Sequence, residues 1–152
     1  MASFKSLPLL LSLSLCLISC SGTRPTDLGI TANKLSPCPA SPNCVSSDSN
    51  SSRSNIAAFE LKQSAQQSWQ AVGAQVESLP RTQIVSINDN YLHAECRSAL
   101  FGFVDDLELH LRPEQGIIAV RSAARKGYYD FGVNRRRVET LRSALREDGA
   151  VH

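Results

Sequence analysis

Apolar and polar positions divide the chain into stretches of different rhythm. From Leu7 to Ile18 the run is almost wholly apolar, interrupted only by Pro8, serines and Cys16. From Ser21 to Ile56 Ser, Asn, Pro and Thr are frequent and no aromatic residue occurs, a composition that buries too little apolar surface to fold alone. Beyond Phe59 two regular periods begin. Trp69, Val72, Val76 and Leu79 recur at helical spacing, behind Ser64 and Gln67 in the spacing of a capping box and ahead of Pro80, which predicts a helix over 65–79. Trp69 falls on the apolar stripe and reads as a core anchor. Alternation then predicts two hairpins, 82–88 with 91–98 around Asp89 and Asn90, and 104–112 turning through Pro113 to Gly116 into 117–123. Val138, Leu141 and Leu145 mark a closing helix from Arg135 to about Glu147, with Asn134 as its N-cap and Gly149 as its stop.

Alternation also sorts the charges by face. In the first hairpin Val85, Ile87, Leu92, Ala94 and Cys96 are expected on one side, and Ile84, Ser86, His93, Glu95 and Arg97 on the other. In the second, Leu107, Leu109 and Leu111 share a side with Ile118 and Val120. That leaves Asp106, Glu108, His110 and Arg121 on a face expected to be open, with Glu108 opposite Arg121 as an ordinary cross-strand ion pair. Helix, four antiparallel strands, helix predicts an α+β fold, a two-layer sandwich with an antiparallel four-stranded sheet and two helices on one face. Length allows one domain, over 57–149, preceded by a flexible tether over 20–56.

The N-terminal segment 1–19, with one cation at Lys5 and then the apolar run, reads as an export signal too short and interrupted to span a membrane. Its end, Leu17, Ile18, Ser19, Cys20, resembles the bacterial lipoprotein box. The resemblance implies that Cys20 receives the lipid, palmitate included, and becomes the new N-terminus. Ser21 after it resembles lipoproteins sorted to the outer membrane, facing the periplasm. The alternative is an ordinary signal peptide cut near Ser21. Export to an oxidising compartment favours a disulfide between Cys38 and Cys44 across a short Pro-rich loop; the rival is a metal site using Cys38, Cys44 and Cys96. Cys96 otherwise reads as a small buried hydrophobe.

Net charge is +2 over 152 residues, and +1 without Lys5. A near-neutral domain argues against nucleic acid as a partner. The charge is uneven, however: Arg121–Arg137 holds six cations and one acid, while Asp105–Glu114 holds four acids and one Arg. Two function classes answer this. In one, Arg97, Arg121, Arg125, Arg135 and Arg137 gather near a helix N-terminus and hold an anionic ligand such as a phosphate, a carboxylate or a lipid head group. In the other, Asp105, Asp106 and Asp130 consume the same Arg side chains to fix the closing helix, giving a structural or partner-docking envelope protein. No phosphate loop, HExxH, GxSxG or paired CxxC motif occurs, so neither a cofactor nor an enzyme activity is indicated. Adjacent Asp105 and Asp106 point to opposite faces of a strand and make a poor catalytic pair, and His93 and His110 read as part of a solvated polar face.

Three blocks carry a family resemblance: PCPASPNCVSS (Pro37 to Ser47), RSALFGFVDDLEL (Arg97 to Leu109) and RSAARKGYYDFGVNRRRVETLR (Arg121 to Arg142). In order and spacing they resemble the signature blocks of the bacterial family called domain of unknown function 1499, over about Leu35 to Leu145. The resemblance implies no particular activity, since that family has none assigned.

Overall fold

The computed structural model describes residues 22–152; Cys20 and the apolar run before it lie outside the described residues. In chain order the elements are β1 (Ile30–Thr31), β2 (Lys34–Leu35), β3 (Cys44–Ser46), β4 (Phe59–Glu60), α1 (Ala65–Ser78), β5 (Thr82–Ile87), β6 (Tyr91–Arg97), β7 (Val104–Arg112), β8 (Ile117–Ala124) and α2 (Val133–Glu147).

α1 begins where the capping box placed it: the Ser64 hydroxyl accepts from the Gln67 amide at 3.3 Å and meets the Gln67 side chain at 2.8 Å. Its stripe of Trp69, Val72 and Val76 packs with Val138, Leu141 and Leu145 of α2 into one core, against Leu92, Leu107, Leu109, Ile118 and Val120 of the sheet. The Trp69 indole donates to the Asn88 carbonyl at 2.9 Å, so its polar edge is satisfied at the rim of that core. Both helices therefore cover the apolar face that strand alternation creates.

The sheet is six-stranded rather than four-stranded, in the order β3-β8-β7-β6-β5, with β4 also paired to β8. The four long strands are those the alternation marks. β3 and β4, both from before α1, line the outer edge of β8, pairing Val45 with Ser122 and Phe59 with Ile118. β3 is too short to show a period of two, whereas the alternation of Phe59 and Leu61 does mark a short extended entry where β4 lies.

Register agrees with the sequence pattern in the second hairpin, where Glu108 stands opposite Arg121 and Leu109 opposite Val120. In the first hairpin it agrees near the turn, where Ile87 pairs with Leu92 and Ser86 with His93, and departs beyond it. A bulge between Ile84 and Ser86 leaves Val85 unpaired, so Ile84 rather than Val85 sides with Ala94 and packs against the core.

The larger correction concerns the opposite face and the stretch read as a tether. Leu35, Cys44, Val45 and Ile56 are buried, and residues before Pro37 lie across the polar side of the sheet. The Gly29 amide donates to Glu108 at 2.8 Å, and Arg24 reaches Glu95 at 2.6 Å. Glu108, His110 and Asp106 are each no more than 2% exposed. The expected open face is a buried polar layer, and the molecule has a third layer.

Candidate functional site

Two features stand out above the fold: the polar layer, where the charges meet, and one end of the sheet, where apolar side chains are left outside.

In the polar layer the guanidinium groups of Arg24, Arg112, Arg121 and Arg125 meet the carboxylates of Asp48, Glu95, Asp106 and Glu108. Burying unpaired charge is prohibitively costly, and a layer built in matched pairs avoids that cost. Arg125 grips Asp106 through two bonds of 2.8 and 2.6 Å and adds Glu95 at 2.7 Å. His93 Nε2 lies 2.7 Å from Asp106 Oδ1, the oxygen that Arg125 Nη2 also binds. Burial alone would raise the Asp106 carboxyl, but the hydrogen bonds from Arg125 and His93 outweigh it and hold the group below the usual carboxylate range. Glu95 follows the same pattern, with burial overcome by Arg125 and Arg24. His110 is pushed down by burial and by Arg112, whose Nε donates to His110 Nδ1 at 3.0 Å. Tyr91 donates to Glu108 at 2.8 Å, and burial together with that carboxylate raises its phenol. Arg121 donates to Glu108 at 2.8 Å, while its Nε is the one buried side-chain polar atom without a partner among the described residues.

The Arg-rich stretch is spent on the protein itself, though not in the pairing the charge pattern indicates. Of its first two members, Arg121 pairs with Glu108 and Arg125 with Asp106 and Glu95. Arg137 donates to Asp105 at 2.7 Å and also binds Ser122 and Asn134. Arg135 holds the backbone carbonyls of Asn55 and Arg53, and Arg136 that of Phe131. Arg97 is half-exposed and reaches Glu95 only at 3.5 Å. Asp106 thus pairs outside the triple Arg, and Asp130 answers no Arg at all. Instead the Asp130 carboxylate accepts from the amides of Gly132 and Asn134, both at 2.9 Å, and occupies the N-terminus of α2. Those amides hold its carboxyl low against the opposing effect of burial. The helix starts at Val133 rather than Arg135 because Gly132, at φ 76°, turns the chain into it. Asn134 lies inside the helix, buried, bonded to Ser122 and the Asn43 carbonyl.

Cys38 and Cys44 form a disulfide, which removes them from any metal site, and Cys96 is free and buried. No group of three or more His, Cys, Asp or Glu is placed to hold a metal among the described residues.

Where β6, β7, β8 and α2 end together, the loops 98–103 and 125–132 form a cleft of about 440 Å³ whose walls include Leu100, Phe101, Phe103, Tyr129, Phe131 and Val133. Leu100 is 81% exposed and Phe131 78%. Phe101 and Phe103 rings pack at 5.7 Å, Tyr129 and Phe131 edge-to-face at 5.1 Å. Phe131 has φ 54°, a left-handed conformation that costs a bulky side chain on the order of 1–3 kcal/mol. The Asp130 bonds on one side and the Arg136 bond to its carbonyl on the other hold it there. The sequence signal for this cleft is aromatic residues in two loops, outside any strand alternation, on either side of the acidic β7.

The family profile described as Protein of unknown function (DUF1499) matches residues 34–145. No curated protein and no solved structure matches the chain.

Proposed function

This chain belongs to the DUF1499 family, and from its geometry we propose that it is a lipid-anchored, non-catalytic docking domain of the bacterial envelope. Its contact surface is the aromatic cleft between the two loops. Cys20 carries the lipid and holds the domain at the outer membrane on the periplasmic side. The observation that carries this reading is the fate of the Arg side chains. Arg121, Arg125 and Arg137 end on carboxylates, Arg135 ends on backbone carbonyls, and Asp130 fills the helix N-terminus an anion would use. A module for a phosphate, carboxylate or lipid head group needs those donors free. Among the described residues the apolar cleft is left without a partner, and exposed apolar patches of this kind mark interaction surfaces.

The test is the mass of the first peptide of the protein purified from its own membranes. The reading requires a peptide that starts at Cys20 and carries acyl mass. A mature N-terminus beyond Cys20 with no added hydrophobic mass overturns it.

A further inference from the structure

The occupant of the cleft follows from where the described chain begins. Gly22 lies against the loop that forms one wall: a Cβ at this position would stand 3.3 Å from Lys126 Cγ and Cε and 3.4 Å from Arg125 Cβ. Lys126 itself lines the cleft. Two residues of chain span at most about 7 Å, so a lipid on Cys20 enters the bilayer beside this end of the sheet and not beside the hairpin at Asn88. We infer that the loops 98–103 and 125–132 form a membrane-inserting surface, with Leu100, Phe101, Tyr128 and Phe131 entering the head-group region of the bilayer that the lipid anchors. The inference rests on the reading of Cys20 as the lipid site.

Three further observations fit a lipid surface better than a protein groove. The exposed side chains are aromatic or Leu at the tips of loops, projecting outward, and Tyr128 is 72% exposed; Tyr and other amphipathic rings favour the depth of the head groups. The flanking charges are cationic. Lys126 lines the cleft, Arg136 binds the Phe131 carbonyl, Arg97 precedes Ser98, and Arg81 reaches the Arg97 carbonyl at 3.3 Å. The two carboxylates that line the cleft are neutralised inward, Asp105 by Arg137 and Asp130 by helix amides. Apolar tips with a cationic rim suit phospholipid head groups, with the long cationic stems reaching along the interface. Phe131 is held left-handed and outward at a cost, with its ring packed only against the likewise exposed Tyr129 among the described aromatic rings.

The test uses bilayer-depth quenching of the lipidated mature protein. It is reconstituted in vesicles of zwitterionic phospholipid and phosphatidylglycerol, with part of the lipid brominated near the head-group end of its acyl chains. The chain has a single Trp, Trp69, buried at the opposite end of the sheet, so wild type gives the baseline. Phe101→Trp adds a probe at an exposed tip, and Ile87→Trp adds one at the far end, where Ile87 is 51% exposed. The expected result is loss of most of the emission that Phe101→Trp adds, with a blue shift, and none of that added by Ile87→Trp. Equal quenching of both probes, or of neither while the first peptide carries its lipid, overturns the inference and leaves the anchor intact; protection of the tip by a co-purifying protein would be the second case. Should Cys20 carry no lipid, unlipidated protein is mixed with the same vesicles. Quenching of Phe101→Trp alone then sustains the surface without the anchor, and its absence overturns both.

Discussion

Arg125 and Asp106 meet fork to fork, two bonds of 2.8 and 2.6 Å between side chains that are 5% and 2% exposed. One stands just past the end of β8 and the other near the start of β7, so the pair closes the polar layer at the same end of the sheet as the aromatic loops. Removing one partner strands the other as a buried charge. Arg125→Met should therefore lower unfolding free energy by about 3–5 kcal/mol. Arg136→Met, at an exposed side chain bonded to one carbonyl, should cost less than about 1 kcal/mol. Urea unfolding of the two variants compares them directly, and equal losses would place the charge network on the surface.

Acid should unfold the protein in two stages. Burial and Arg112 depress His110, so its neutral form is favoured in the fold; that contribution is complete above about pH 6.5 and begins to be lost below it. Asp106, Glu95, Asp48 and Asp130 are held low in the fold despite burial, chiefly by Arg partners or helix amides. Their contribution is present above about pH 4 and is lost as pH falls through the depressed values. Asp105 acts oppositely: burial outweighs Arg137 and raises its carboxyl, so it favours the fold most in acid and less as pH rises through that raised value. The expected curve of urea midpoint against pH is flat near neutrality, sags below about 6.5 and drops steeply below about 4. His110→Gln should remove the first sag and keep the second.

Reduction of the Cys38–Cys44 disulfide should cost about 2 kcal/mol, the scale for so short a loop. Cys44 is buried in β3 and the Asn43 carbonyl accepts from Ala124, so the loss should appear first as faster amide exchange at Ala124. Uniform exchange across the sheet after reduction would mean that the bond supports no particular edge.

Phe131→Gly separates stability from contact. Glycine removes the left-handed strain and should raise thermal stability by about 1 kcal/mol, while deleting an exposed ring from the cleft should weaken docking. A variant that is less stable by calorimetry would show that Phe131 packs inside the domain after all.

Much of the fold was legible from the chain, and the failures share a cause. Helices and long strands announce themselves because one face is apolar. The face carrying His93, Glu95, Asp106 and Glu108 alternates as a solvated face does, and nothing in the pattern distinguishes water from a polar lid. The lid is itself polar: Arg24 and Gly29 find partners 71 and 79 residues away, a pairing that leaves no local rhythm. The same blindness hid Arg142, which lies buried on α2, 4.6 Å above the Phe59 ring and bonded to the Ala57 and Ala58 carbonyls. The Val85 bulge displaced one apolar position because register follows hydrogen bonding, and a bulge has no composition of its own. Acids meet Arg121, Arg125 and Arg137, whereas Arg135 and Arg136 bind backbone carbonyls; the charge pattern misassigned Asp130, which caps the helix that the run belongs to.

In the function proposed above, the Arg-rich stretch is answered within the protein and the aromatic loops make the outside contact. The most direct test is the melting temperature of the purified mature protein across a phosphate titration at constant ionic strength, for wild type and Arg137→Ala. The curves should stay flat with phosphate, with Arg137→Ala lower throughout because Asp105 loses its partner. A wild-type melting temperature that climbs with the logarithm of phosphate concentration, and a climb abolished in Arg137→Ala, would contradict that function and restore the Arg cluster as a ligand site.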